Sequence, residues 1–222
     1  MYNVKTKTEE VYLTRSSLDN ITDVYIDGNK IEIESHIDNN GKLKYPFNSI
    51  GIHEVRYVLN ENCHTIDDHL FDFDTIENNE LIEVYLPNDL TTIGEYAFGS
   101  TSIKTIELPN SLVTISESAF FCSSLESIII PSSVTTIEGN PFEYCTKLES
   151  IKVNESNEYY DSRNNCNAII EIGDNDRLIT GCKNTSIPSS VKIIGEFAFS
   201  GINVNSTIII PNGIEIIENG AF

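Results

Sequence analysis

One short motif recurs along this chain at a nearly constant interval, and this repetition limits the folds that the chain can adopt. The motif is Ile-x-x-x-Ala-Phe, and its copies begin at Ile93, Ile115, Ile194 and Ile217, with Pro in place of Ala in the copy at Ile137 and a weaker copy at Ile66. The prolines keep the same interval, since Pro87, Pro109 and Pro131 are 22 residues apart and Pro188 and Pro211 are 23 apart. Such a repeat predicts a solenoid, because one coil cannot bury its apolar side chains without a neighbouring coil.

One period of the repeat has the pattern of two short extended segments and a turn. In residues 125–130 apolar side chains alternate as in a short strand, and Pro131 ends that strand because proline cannot donate a ladder hydrogen bond. We expect residues 134–137 to form a second extended segment on the opposite wall. A single helical or 3₁₀ turn then places Phe142 in the interior, so that equivalent side chains of successive coils stack in columns.

The full repeat, Leu-x-x-Ile-x-Ile-Pro-x-Ser-Val-x-x-Ile-x-x-x-Ala-Phe-x-x-Cys, resembles the BspA-like class of leucine-rich repeats. Its fullest copies are residues 103–123 and 125–146, and the resemblance covers residues 58–222. It implies a leucine-rich repeat solenoid that is mostly β, with short helical or 3₁₀ turns. Such repeats are known mostly from secreted or surface-attached proteins with an inferred role in binding or adhesion, so the resemblance also implies an extracellular or cell-surface location.

Residues 154–186 interrupt the regular interval. Alternating residues 168–172, the turn at 173–176 and residues 177–180 predict a β-hairpin within an elongated repeat, and we expect it to extend the solenoid wall. The turn contains Asp174, Asn175 and Asp176 but lacks a Glu at EF-hand spacing, which favours a plain turn over a calcium site.

Both ends of the chain differ from the repeats. Residues 1–57 do not repeat, and we interpret them as a small β cap over the first coil, with a separate small β domain as the alternative. Within them Asp27-Gly28 predicts a hairpin turn and residues 38–41 predict a second turn, while residues 43–47 are expected to be short and irregular. At the other end the repeat stops in mid-coil at Ala221-Phe222, which favours a natural protein that continues; the alternative is a partner copy in contact with this open C-terminal end.

The charge balance excludes several classes of partner. The 34 Asp and Glu against 14 Lys and Arg give a formal net charge of −20, which repels nucleic acid and anionic lipid surfaces. No apolar run is long enough to cross a bilayer, which predicts no membrane insertion, and the first residues show no signal peptide.

The five cysteines do not form an obvious disulfide framework, because their number is odd. Cys122 and Cys145 follow the Phe of successive repeats, and we expect them in a column of small buried side chains. Cys166 and Cys182 flank the predicted hairpin, and the sequence leaves open whether a disulfide joins them.

Candidate chemistry is sparse. The acidic segment of the first repeat contains His64, Asp67, Asp68, His69, Asp72 and Asp74. Their spacing matches no zinc site, and the repeat pattern directs several of them to exposed turn positions, so we predict neither a metal site nor a cofactor. Hydrolase, metalloprotease and phosphate-binding motifs are missing, which favours a protein that is not an enzyme.

The remaining functional candidate is the outward face of the main strands. Stacking aligns its side chains in two columns, one of Glu83, Thr105, Ser127 and Ser150, and one of Tyr85, Glu107, Ile129 and Lys152, with Thr207 and Ile209 further along. The second column mixes an aromatic, an aliphatic and both charges, which favours recognition of a ligand. The alternative is that single exposed apolar residues are normal and carry no function.

Two functions are compatible with this sequence. The first is a non-catalytic protein-interaction or adhesion module that presents a laddered sheet face to a protein or glycan ligand. The second is a passive structural spacer or display stalk of a larger surface protein, in which the repeats only set the length.

Overall fold

The computed structural model describes residues 1–4, 10–16, 18–72, 80–174, 176–202 and 207–222. Short β-strands and turns make up nearly all of its secondary structure, and the helical segments in these ranges are two 3₁₀ turns, Ile33–Ser35 and Arg163–Asn165. Parallel strands from successive repeats lie side by side in register, which confirms the predicted solenoid.

The N-terminal region consists of short antiparallel strands. They are β1 (Tyr2–Val4), β2 (Glu10–Tyr12), β3 (Ile21–Ile26), β4 (Asn29–Ile31), β5 (Lys44–Pro46), β6 (Gly51–His53) and β7 (Val55–Leu59). Strand β3 lies between β4 and β7, and β2 pairs with β5. Residues 43–47, expected to be irregular, therefore contribute a strand. Pro46 is tolerated there because it is the last residue of a strand with a single neighbour.

Both turns predicted in this region are confirmed. Asp27 and Gly28 connect β3 to β4 with φ of 49° and 81°, the positive values that a two-residue hairpin turn requires. Gly41, with φ of 78°, closes the second turn by donating its backbone N–H to the carbonyl of Asp38 over 3.1 Å.

This region contacts the first coil of the solenoid and shares a buried apolar core with it. The ring of Tyr57 lies 5.3 Å from that of Phe71, and its hydroxyl donates to the carbonyl of Leu13 over 2.7 Å. The backbone N–H of Arg15 donates to the carbonyl of Leu70 over 2.9 Å. One buried apolar cluster therefore runs from the N-terminal strands into the repeats.

The remaining strands belong to the repeats. They are β8 (Thr65–Ile66), β9 (Glu80–Leu81), β10 (Thr92–Ile93), β11 (Thr114–Ile115), β12 (Ser127–Ile130), β13 (Thr136–Ile137), β14 (Ser150–Val153), β15 (Tyr160–Asp161), β16 (Ala168–Glu171), β17 (Arg177–Gly181), β18 (Ile193–Ile194) and β19 (Ile216–Ile217). Strands β8, β10, β11 and β13 form one parallel wall, in which each Thr lies beside the Thr and each Ile beside the Ile of the next coil. The Ile of each strand is buried.

The copies with Ala before the motif Phe leave this wall through a tight turn and not through a helical segment, whereas the copy at Ile137 has its positive φ at Gly139. The N–H of Ala97 donates to the carbonyl of Gly94, and Tyr96 between them has φ of 51°. Ser118 and Phe197 occupy the same position with φ of 54° each. A left-handed residue in the third position of a β-turn reverses the chain within four residues, so the following Phe enters the interior.

The motif phenylalanines form a continuous column through the core. The rings of Phe71, Phe98, Phe120 and Phe142 follow one another at centroid distances of 5.5, 5.5 and 5.4 Å, with interplanar angles of 13–15°. All four are buried. Phe199 and Phe222 stack in the same way beyond the elongated repeat, at 5.3 Å.

The elongated repeat contains the predicted hairpin and extends the wall. Strands β16 and β17 pair antiparallel, and β17 then pairs in parallel with β18, which pairs with β19. The hairpin turn is held by Asp176, which accepts from Arg163 and from the backbone N–H of Gly173. Asn175 lies outside the described residues.

The cysteine column predicted from sequence is wrong in one member. Cys145 is buried, but Cys122 is exposed and has φ of 55°. The buried position three residues after the motif Phe is Thr101, Ser123 and Cys145 in successive coils, and the hydroxyl of Ser123 lies 3.3 Å from the sulfur of Cys145. Cys122 lies one residue before this buried position in its repeat. Cys166 and Cys182 are buried free thiols with no disulfide between them.

Replacement of Phe120 by Ala is expected to lower the free energy of unfolding by about 3–5 kcal/mol, because it opens a cavity in the middle of the aromatic column. The matched control is Phe121→Ala, since this neighbouring ring is only half-buried and its loss is expected to cost about 1 kcal/mol. Urea denaturation of both variants measures the difference. Equal losses would contradict the column.

The thiols are expected to differ in reactivity. Burial raises the pKa of Cys145 to about 12 and also raises the pKa of Cys166 and Cys182. Because the thiolate is the reactive form, iodoacetamide at about pH 8 should label the exposed Cys122 of the folded protein and leave these three unmodified. Mass spectrometry of peptides after labelling reports each site, and urea should make all of them reactive.

Candidate functional site

The outward face predicted as a binding surface is best formed at strands β12 and β14. Ile128 and Ile130 are buried, whereas Ile129 between them is 60% exposed. The parallel register places Ile129 beside Lys152, and Ser127 beside Ser150, as the two predicted columns require.

The columns continue less regularly towards the first repeats. Tyr85 is 79% exposed, and Thr105 and Glu107 are exposed too, but no strand is assigned to residues 82–86 or 104–108 within the described chain. A polar cleft of about 620 Å³ separates residues 83–88 from residues 105–110. On this face the paired strands within the described residues are β12 and β14, although the N–H groups of Ser124 and Glu126 still donate to the carbonyls of Thr101 and Lys104. The two halves of the predicted face therefore differ in shape.

The cleft half of the face is acidic. The hydroxyl of Tyr85 donates to Oε1 of Glu83 over 2.7 Å, and this hydrogen bond, with the charge of Glu83, raises the pKa of Tyr85. The carboxylate of Glu107 acts in the same direction from the other side of the cleft. In the ladder half Lys152 supplies a cation beside Ile129.

Behind Tyr85 lies an apolar cavity that sequence reasoning missed. Its volume is about 680 Å³, and its floor is formed where the N-terminal strands meet the first coils, by Leu59, Ile66, Phe71 and Phe98 among others. No sequence pattern indicates it, because its walls come from segments that are distant in the chain.

The predicted columns do not run directly to Thr207 and Ile209, although both are exposed. The segment after β17 lies beside β14 instead: the N–H of Lys183 donates to the carbonyl of Leu148 over 3.2 Å, and its ammonium lies 2.8 Å from Glu149. The elongated repeat thus stands between β14 and the last coil.

The acidic and His side chains in the first repeat segment contact different partners and do not converge. Asp67 accepts from the side chain of Asn20 over 2.9 Å, and Asp68 accepts from the backbone N–H of Glu95 over 2.7 Å. His69 pairs with Asp72 at 2.9 Å, and His64 lies 3.4 Å from Asp89. Asp74 lies outside the described residues. Among those described, no three His, Cys, Asp or Glu side chains converge as metal ligands.

A second exposed surface, which was not predicted from the sequence, follows the turns of the motif. His69, Tyr96, Phe121 and Tyr144 contact one another from coil to coil, and we call this row the aromatic strip. Its signal in the sequence is an aromatic or His beside the buried motif Phe. The position shifts by a few residues between copies, which hides the column.

No helix in the described part of the chain has the length and apolarity that a membrane span needs.

Comparison with solved structures identifies similar bacterial repeat proteins. A leucine-rich repeat protein from Eubacterium ventriosum is 25% identical, with a TM-score of 0.54 over 62% of this chain and 43% of that one. A leucine rich cell surface protein from Faecalibacterium prausnitzii is 27% identical, with a TM-score of 0.52 over 62% of this chain and 37% of that one. The chain thus spans less than half the length of either protein.

No curated protein matches the chain. The BspA type leucine rich repeat region matches it with six copies, over residues 74–172 and 170–222. These matches cover most of the sequence and include every complete copy of the motif from Ile93 onwards. The chain therefore belongs to the BspA-type leucine-rich repeat family.

Proposed function

We propose that this chain is a non-catalytic interaction or adhesion module of a cell-surface protein. We further propose that it holds a protein or glycan ligand on the outward face that carries Tyr85, Ile129 and Lys152, which we call the strand wall. The family supports a repeat module of this kind. The surface location is supported by the family and by the cell-surface description of the protein from Faecalibacterium prausnitzii.

The observation that carries the proposal is the exposure of large apolar side chains on one wall of a rigid scaffold. Tyr85 and Ile129 are 79% and 60% exposed, and Lys152 lies beside Ile129 in register. Aromatic and aliphatic side chains held in fixed positions lose little conformational entropy on binding, which suits them as anchors of an interface.

The cleft and the apolar cavity beside Tyr85 extend this surface. The cleft is bordered by Glu83 and Glu107, and it offers carboxylate acceptors to sugar hydroxyls or to the N–H groups of a peptide. Tyr85 borders the cleft and the cavity alike, so a ligand anchored on Tyr85 reaches a polar and an apolar recess together.

The alternative function is a passive spacer in a longer protein. It is favoured by the uniform stacking of the coils and by the greater length of the two similar bacterial proteins. A spacer needs no anchor residues, so changes at Tyr85 and Ile129 distinguish the two functions.

The test begins with a panel of purified extracellular-matrix proteins and a glycan array probed with the labelled chain. For the strongest ligand found, Tyr85→Ala with Ile129→Ala is expected to weaken affinity at least about tenfold, because two interface anchors are removed. The matched control is Tyr159→Ala with Ile172→Ala, which removes a Tyr that is 50% exposed and an Ile that is 44% exposed in the elongated repeat.

Circular dichroism should show an unchanged fold for both double variants. Undiminished binding by the Tyr85/Ile129 variant would exclude the strand wall as the binding face. A chain that binds no member of either panel would favour the spacer.

A further inference from the structure

The aromatic strip is a row of exposed rings at the turn edge of the solenoid, away from the strand wall. The ring of His69 stacks on that of Tyr96 at 4.9 Å and 7°. Tyr96 and Phe121 lie 5.3 Å apart, and so do Phe121 and Tyr144. Four successive coils therefore present one continuous surface of rings.

The rings are accessible to solvent. His69 and Tyr144 expose about half of their side chains, at 51% and 48%. Tyr96 and Phe121 between them are half-buried and contact each other. A strip of partly exposed rings this long is more typical of an interaction site than of a solvated surface.

Two glycines extend the strip beyond the elongated repeat. The ring of Tyr144 lies against Gly201, where an added Cβ would be 2.4 Å from a ring carbon. The ring of Phe197 lies against Gly220 in the same way, also at 2.4 Å. Phe197 is 36% exposed. Each glycine lets an aromatic ring lie flat on the neighbouring coil, so the aromatic surface reaches the last repeats.

Carboxylates outnumber basic side chains along the strip. The turn segments 66–72, 93–99, 115–121, 137–144, 194–200 and 217–222 contain nine Asp and Glu but no Lys or Arg. Some of these carboxylates are occupied, since Asp68 caps a backbone N–H and Glu218 pairs with Arg177. Glu95, Glu117, Glu143 and Glu196 form no ion pair with a basic side chain in the described part of the chain.

Carboxylates of separate coils are close enough to repel one another. Partial burial raises the pKa of Glu143, and the charges of Glu117 and Glu196 raise it further, against the hydrogen bond from Ser118. A cation placed among these groups would relieve the repulsion.

We propose that the aromatic strip is a docking surface for an arginine-rich segment of a partner protein. Guanidinium groups stack on the faces of aromatic rings and pair with carboxylates, and this edge offers both in each coil. Charge complementarity selects this occupant, because an acidic or a neutral apolar partner would leave the bordering carboxylates uncompensated. The surface is separate from the strand wall and does not depend on the function of Tyr85 or Ile129.

The probes are fluorescein-labelled nona-arginine, nona-lysine and nona-glutamate, with binding followed by fluorescence anisotropy at about 150 mM salt. Nona-arginine should bind more tightly than nona-lysine, because arginine is the better partner for a ring face. Tyr96→Ala with Tyr144→Ala should weaken nona-arginine binding about 5- to 30-fold, and Tyr96→Phe with Tyr144→Phe should retain it.

The matched control compares two single changes. Tyr144→Ala should weaken nona-arginine binding about 2- to 5-fold, whereas Tyr159→Ala, which removes an equally exposed Tyr elsewhere, should leave it unchanged. Glu117→Gln with Glu196→Gln keeps every ring, and it should weaken binding and flatten its salt dependence. This charge variant serves as a second test if the double Ala variant does not fold.

Three results would overturn the proposal. Equal affinity for nona-arginine and nona-lysine would mean that the edge is only a general acidic surface. Wild-type affinity in a folded Tyr96/Tyr144 Ala variant would exclude the rings. Binding of cellohexaose to these rings without binding of nona-arginine would assign the strip to glycans instead.

Discussion

The fold depends on the inability of a single coil to bury its own apolar side chains. Each repeat has short extended segments, a turn and one motif Phe, and only contact with the next coil removes their apolar side chains from water. Stacking of the coils buries these side chains, because Ile lies beside Ile in the parallel wall and Phe stacks on Phe through the centre. The turns that direct Phe inward need left-handed residues such as Tyr96 and Ser118, a local cost of about 1–2 kcal/mol each that the packing must offset.

The sequence predicts the parts of the structure that come from the repeat. It does not predict features formed by segments that are distant in the chain, or a side chain that lies one position away from the buried one. The spacing of Ile and Phe is enough to predict the wall and the column, and Asp27-Gly28 is enough for the hairpin. The sequence predicts Cys122 as buried because it closely follows the motif Phe, as Cys145 does, and the pattern does not show that the buried position is the third after the Phe and not the second. The cavity behind Tyr85 lies where the N-terminal strands meet the first coils, and no local pattern encodes that contact.

The same stacking that buries one set of side chains fixes others in rows on the surface. On the strand wall it holds Ile129 beside Lys152 and exposes Tyr85 next to an acidic cleft. At the turn edge it lines up rings from His69 to Tyr144 beside carboxylates, several of which form no ion pair with Lys or Arg in the described residues. These two rows differ in charge and shape, and each is the surface on which one of the two proposed interactions depends.

Nearest-neighbour stacking of the phenylalanine column is tested most directly by double-mutant cycles on the free energy of unfolding. Phe98→Leu and Phe120→Leu remove rings in contact at 5.5 Å, so their effects should be coupled by about 0.5–1.5 kcal/mol. Phe71→Leu and Phe142→Leu remove rings separated by two others, so their effects should add within about 0.5 kcal/mol. Additive losses for the first pair, or equal coupling in both pairs, would contradict a column in which each coil is stabilised by the next.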